Sequence, residues 1–206
     1  MRNIDIGLES IDKIYHIADV HVRNVKRHRE YRSVFKRLYS YIKKTRTPNS
    51  VIYVAGDIVH AKTDMSPELV AVVSDFFKNL ADLAPTLIIT GNHDCNLNNS
   101  YRLDALSPIV KALNHQRLHY LKDNGIYCIS GVHFNVMSVY NKPTEYITAD
   151  QIAGDYKIAL HHGSVHNAST DAGFTLSNTH VTTNIFKGHD LVLLGDIHKP
   201  QYLNED

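Results

Sequence analysis

Seven short apolar stretches punctuate the chain, at 12–18 (DKIYHIA), 51–56 (VIYVAG), 86–90 (TLIIT), 125–130 (GIYCIS), 133–139 (HFNVMSV), 156–160 (YKIAL) and 190–195 (DLVLLG). Their lengths, β-branched content and polar flanks predict strands. Between the early ones the apolar period lengthens from two to between three and four. Over 29–45, Tyr31, Phe35, Leu38 and Ile42 share one helical face. Over 66–83, Ser66-Pro67-Glu68 supplies a start signal and Val70, Val73, Phe77 and Leu80 line one side. A third helix is expected over 101–114. This alternation predicts an α/β domain with a more β-rich second half. With 206 residues, 43% of them hydrophobic, the chain suffices for one core, and residues 1–206 read as a single domain.

The polar residues at the strand ends change the picture from architecture to chemistry. Ligands of open α/β sheets bind beyond the carboxyl ends of the strands. There the chain carries Asp19-Val20-His21, Gly56-Asp57-Ile58-Val59-His60, Gly91-Asn92-His93-Asp94, His161-His162-Gly163 and Gly195-Asp196-Ile197-His198. Several of the 14 histidines fall in these turns. Any one Asp or Asn in such a place could merely cap a helix, and one Asp-x-His on a strand shares a face by chance. Five such ends in one domain point to a metal centre. Two divalent cations about 3.5–4 Å apart need a shared carboxylate and several nitrogen and oxygen ligands, a mixture that suits Mn, Fe or Zn.

The ordered set D-x-H, G-D-x-x-H, G-N-H-D, H and G-D-x-H, from Asp19 to His198, resembles the calcineurin-like metallophosphoesterase superfamily. The resemblance implies a β-sandwich core flanked by helices in α/β/β/α layers. Within the superfamily, the stretches GDIVHAKTDMSPELV (56–70), GNHDCNLNNSYRLDALSPIV (91–110) and GDIHKPQ (195–201) resemble the DNA-repair nuclease branch of SbcD-like exonuclease subunits. Protein phosphatases of the superfamily place Asp-Arg-Gly where His60-Ala61-Lys62 stand here. Carried onto this chain, the resemblance implies one metal held by Asp19, His21 and His198 and another by Asn92, His161 and Asp196, with Asp57 bridging. A one-residue change of register would exchange His161 for His162. His93 is implied as the catalytic acid, with Asp94 behind it; for His60 a packing role stands beside direct metal contact. The implied activity is exonuclease and endonuclease cleavage of DNA in double-strand break processing or recombination, through a metal-bridging hydroxide. The implied cofactors are two divalent ions, Mn first, with Mg or Fe as alternatives. The implied partners are DNA, an SbcC-like ABC-type coiled-coil ATPase and a second copy in a homodimer. Two other readings stand beside this one: a phosphoesterase of small phosphoesters or nucleotides, and a non-catalytic interaction module of the same fold.

Charge and composition refine the expectation. Net charge is only +1, yet residues 23–46 hold ten of the 22 Lys and Arg against one acid, Glu30, giving that segment +9 and the remainder −8. Following Asp19 and His21 directly, the segment is either a solvated face or a phosphate-tracking surface. Cys95 and Cys128 form no disulfide framework or zinc spacing. No apolar run nears the roughly 18–20 residues of a bilayer span, and the N-terminus is too polar for a secretory signal, so a cytoplasmic protein without a membrane partner is expected. Asp196 departs from the family, which most often has His there. With Asp19, Asp57 and Asp196 ionised, two divalent ions keep a formal surplus of +1 rather than +2, which favours Mn or Mg over Zn. The related nucleases continue with more strands and a capping domain where this sequence stops at Asp206. The expectation is a catalytic core without the cap, either a fragment or a fold completed by another chain.

Overall fold

The computed structural model of the chain describes residues 1–177 and 179–203. Its first half winds as β2 (Lys13–Ile17), α1 (His28–Thr45), β3 (Ser50–Val54), α2 (Pro67–Leu83), β4 (Thr86–Ile88), α3 (Ser107–Leu113) and β5 (Leu118–Tyr120), after a short β1 (Arg2–Asn3). The second half is β6 (Gly125–Ile129), β7 (Val132–Met137), β8 (Tyr156–His162) and β9 (Leu191–Gly195). Strands β2-β3-β4-β5 form a parallel sheet in that order, and β1-β6-β7-β8-β9 form a second. In the second sheet only β6 and β7 run antiparallel, joined by a tight turn at Ser130-Gly131.

Side-chain alternation explains how the sheets stack. On β3, Val51 and Tyr53 face Tyr127, Ile129, Phe134, Val136, Ile158 and Leu160 of the other sheet. Ile52 and Val54 instead meet Phe35 and Ile42 of α1 and Leu69, Val73, Phe76, Phe77 and Leu80 of α2. Each large apolar side chain so buried contributes about 1.5–3 kcal/mol of transfer free energy, and the long helices therefore cover one face of the sandwich. The other face rests on Met137, Tyr146, Ala159, Val165, Val181 and Phe186. Among the described residues it is covered by loops and 3-10 turns at Pro143–Glu145, Ala149–Gln151 and Thr183–Phe186. The α/β sandwich expected from the motifs is present, with this lighter layer on its second face.

The expected helix over 66–83 forms because Ser66 accepts from the Leu69 amide at 3.2 Å and Pro67 opens the first turn. The helix expected over 101–114 is shorter. Asp104 captures the amides of Leu106 and Ser107 at 2.9 and 2.6 Å, so helical bonding begins only at Ser107. Among the described residues, no helix is long and apolar enough to cross a membrane.

Candidate metal centre

The carboxyl ends of β2, β3 and β9 turn sharply at acidic residues. Asp19, His21, Asp57 and Asp196 take φ values of 54°, 48°, 52° and 88°. Side chains other than glycine rarely adopt this left-handed region, at a cost of about 1–3 kcal/mol each, and such outliers gather at functional sites. The loops are locked by the bonds His21 N–H to Asp57 C=O at 2.9 Å, Val22 N–H to Ile58 C=O at 2.8 Å and Asp196 N–H to Asp19 Oδ1 at 2.9 Å. Glycines let these turns close on one another: a Cβ on Gly91 would run into Asp57, and one on Gly195 would lie 2.7 Å from His162 Nδ1.

Two groups of donors result, with Asp57 between them. Its Oδ2 lies 3.4 Å from His21 Nε2, and its Oδ1 lies 3.3 Å from His162 Nε2. On the first side, the ligand atoms of Asp19, His21 and His198 converge within 4.8 Å of one another, and the His21 and His198 Nε2 atoms are 3.1 Å apart. On the second side, His162 Nε2 is ringed by polar atoms: the Asn92 side-chain amide at 2.9 Å, Asp57 Oδ1 at 3.3 Å and Asp196 Oδ1 at 3.9 Å. Among the described residues no Lys or Arg pairs with Asp19, Asp57 or Asp196; imidazoles alone face this negative charge. A cluster of carboxylates, imidazoles and an amide without such a counter-ion has the donor chemistry that suits divalent metal.

The surrounding bonds set the tautomers. His162 Nδ1 lies 2.6 Å from Ala55 C=O and His93 Nδ1 lies 2.7 Å from His60 C=O. A carbonyl only accepts, so both Nδ1 atoms carry hydrogen and both Nε2 atoms are the working ends. The His93 ring stands edge-on to His21 with centroids 4.8 Å apart and stacks on exposed His60 at 5.7 Å. His21, His60 and His93 thus make a third convergent group at the mouth. Lys62 Nζ reaches the Asn92 carbonyl at 3.2 Å, bringing an ammonium to the same rim. Fully buried Asp94 accepts from the amides of Ile58 (2.9 Å), Val59 (3.0 Å) and Gly91 (2.9 Å), tying the second motif to the third from beneath.

Protonation differs across the centre. Burial, the dominant influence, drives His21 down to about 4, with the pull of Asp57 opposing it and the other imidazoles assisting. Burial also opposes charge on His162, but its bond to Asp57 and the charges of Asp57 and Asp196 hold it up at about 9. Asp57 is buried too, yet His162 and the His93 amide keep it below the usual carboxylate range. Burial raises Asp19, and it lifts Asp94 to about 7 against the pull of its amide donors.

The structure gathers Asp19, His21, Asp57, Asn92, His93, Asp196 and His198 around one centre, with Asp94 beneath. It does not bring in His161. That expectation is corrected to His162, and strand alternation supplies the reason. Ile158 and Leu160 face the sandwich core, so His162 continues their series toward Ala55. His161 follows Ala159 onto the opposite face, where Nδ1 donates to Met137 C=O at 3.0 Å and the ring packs on Tyr146 and Phe186. The apolar pair two and four residues upstream was the available signal. Ser164, whose Oγ donates to Asp196 Oδ2 at 2.6 Å, was not anticipated, and no sequence pattern marked it.

A profile of the family described as Calcineurin-like phosphoesterase matches residues 12–200. An uncharacterized protein of Acanthamoeba polyphaga mimivirus is 46% identical over 214 residues, an alignment taking in 98% of this chain. The chain spans 16% of that relative's length. The crystal structure of a Pseudomonas putida nuclease MPE overlaps 75% of this chain and 60% of its own at 18% identity. Its TM-score of 0.38 marks a superposition too loose to bear on function.

Proposed function

The chain belongs to the calcineurin-like phosphoesterase family, and from that premise we propose that it is a DNA nuclease hydrolysing phosphodiester bonds at a two-cation centre. The observation that carries the hydrolytic reading is the division of Asp57, one oxygen toward His21 and the other toward His162. In this reading Asp19, His21, His198 and Asp57 hold one divalent cation, and Asp57, Asn92, His162 and Asp196 hold the second. Bound cations supply positive charge that makes a water nucleophilic near neutral pH and neutralises phosphate oxygens. Manganese is the first candidate, because three carboxylates give the centre an oxygen-rich character.

The chain's own residues do the remaining work. With Nδ1–H committed to the His60 carbonyl, His93 keeps Nε2 as its second nitrogen; as the imidazolium it would carry a proton there as well and pass that proton to the leaving oxygen, returning to the neutral Nδ1–H form. Lys62 places positive charge beside that position. Support for DNA as substrate comes from α1. Tyr31 in its first turn donates to the His21 carbonyl at 2.7 Å, mooring the basic segment of residues 23–46 to the first donor group. Lysines and arginines so arranged track phosphates without reading sequence.

The purified protein with Mn is assayed against single- and double-stranded DNA and against a small chromogenic phosphodiester. DNA cutting is the expected result; hydrolysis of the small ester alone, at low salt, overturns the nuclease reading. His93→Ala is expected to lower turnover by about 10²–10⁴-fold while cation binding persists. Loss of both together would show His93 to be a ligand rather than a proton donor.

A further inference from the structure

We propose that Ser164 is a positioning residue that fixes Asp196 in a one-oxygen mode and thereby makes the second cation site selective for Mn or Mg over Zn. The inference rests on the two-cation reading above and concerns the chemistry of one of its sites. Its starting point is the 2.6 Å bond from Ser164 Oγ to Asp196 Oδ2. An ionised carboxylate only accepts, so the hydroxyl donates, and the length is that of a charge-assisted bond. That bond occupies Oδ2 and leaves Oδ1 as the atom facing His162 Nε2 at 3.9 Å. The second site is thereby offered one oxygen from each of Asp57 and Asp196, the Asn92 amide, and one imidazole nitrogen.

Residue 196 is held at its main chain as well. Its amide donates to Asp19 Oδ1 at 2.9 Å, and its backbone takes a φ of 88°. Ser164 stands within reach because β8 and β9 are parallel and in register, His162 beside Gly195. The Gly163 amide extends that pairing to the Gly195 carbonyl at 3.4 Å, so Gly163 lies alongside Asp196 and Ser164 follows one residue further along, its hydroxyl within reach of the Asp196 carboxylate. The serine therefore reaches Asp196 through the same register that brings His162 inward.

The selectivity follows from coordination chemistry. Mn and Mg prefer six hard oxygen-rich ligands at near-octahedral angles, which a carboxylate bound through one atom accommodates. Zn accepts four ligands and favours imidazole. Without the hydroxyl, Asp196 is free to rotate and bind through both oxygens, and the fixed geometry is lost. Outer partners of this kind typically alter metal affinity by about 10–100-fold.

The test is a calorimetric titration of the whole protein with Mn and, separately, with Zn, read as the ratio of the two second-site dissociation constants. Ser164→Ala is expected to weaken Mn about tenfold while leaving Zn nearly unchanged. Ser164→Thr, which keeps the hydroxyl, is expected to preserve the wild-type ratio. Asp196→His is expected to move the ratio toward Zn beyond the alanine variant. An unchanged ratio in Ser164→Ala, or equal loss in the alanine and threonine variants, overturns the proposal. Wild-type protein binding fewer than two cations would instead sink the two-cation reading itself, so the two failures are distinguishable without any turnover measurement.

Discussion

The two donor groups on either side of Asp57 are built to different electrostatic rules. The first combines two imidazoles with Asp19 and opens to solvent at His198. The second sets one buried imidazole among two carboxylates and an amide. Their histidines shift in opposite directions, His21 down to about 4 and His162 up to about 9. Near neutral pH His21 is a neutral imidazole with a free lone pair, whereas His162 holds a proton where a cation would sit. The first group would therefore take a cation without first giving up a proton from His21. In the second, a cation at His162 Nε2 would have to displace the proton that Asp57 and Asp196 favour there.

Removing the imidazole of the second group is the most severe test of this contrast. His162→Ala is expected to weaken second-site cation binding by about 100-fold or more, leaving one high-affinity site in a calorimetric titration. His161→Ala is expected to change either affinity by only a few-fold, because that ring lies against Tyr146 and Phe186. The opposite pattern, with loss on His161→Ala, would reverse the strand-face assignment and with it the composition of the second group.

That pair of neighbours also measures how far the sequence could be read. Five strand ends bearing Asp, His or Asn were visible because each motif is local, and the side chains of Asp19, His21, Asp57, Asn92, Asp196 and His198 lie around one centre. The choice between adjacent histidines depends on which face of β8 meets the first sheet, a long-range fact that shows in sequence only through Ile158 and Leu160. The same limit hid β5, whose three residues Leu118–Tyr120 are too short to display a period. It hid the true start of α3 as well, since Asp104 competes for the first amides in a way no apolar pattern records. The α2 start was legible because cap, proline and apolar stripe all sit within one turn of each other. Ser164 was illegible because its partner is 32 residues away and the bond depends on β8–β9 register.

A milder perturbation, pH, should separate the two groups without mutation. A cation and a proton compete for His162 Nε2, so between pH 7 and about 9 each unit of rise should tighten second-site binding about tenfold, levelling above that. One proton should be released per cation bound at neutral pH, visible as a buffer-dependent heat. His21 is already deprotonated throughout this window, so it contributes no such dependence to the first group. Linkage carries the same sign into folding of the cation-free protein. A histidine whose folded pKa is raised from 6.5 to about 9 stabilises fully below pH 6.5, and that contribution is lost as pH rises through about 9. Equal pH slopes for both sites would erase the distinction.

The smallest expected effect concerns what the first group faces. Its outer side is moored to α1 through Tyr31, while the second group backs onto the strand interior at Ala55. If the basic segment of residues 23–46, which runs into α1, guides DNA toward the first group, its exposed cations without acidic partners matter more than its paired ones. Arg27 is engaged by Glu30 and Arg32 by Asp75, whereas Lys26 and Arg29 make no ion pair among the described residues. Lys26→Ala and Arg29→Ala should each weaken DNA binding only a few-fold, uniformly across sequences, and lower the slope of log affinity against log salt by about 0.9 per lost phosphate contact. Cation affinities at both sites should stay unchanged, since neither side chain belongs to a donor group. An unaltered salt slope in the double variant would make the basic segment a solvated face only, leaving the first group open to solvent rather than to a guided strand.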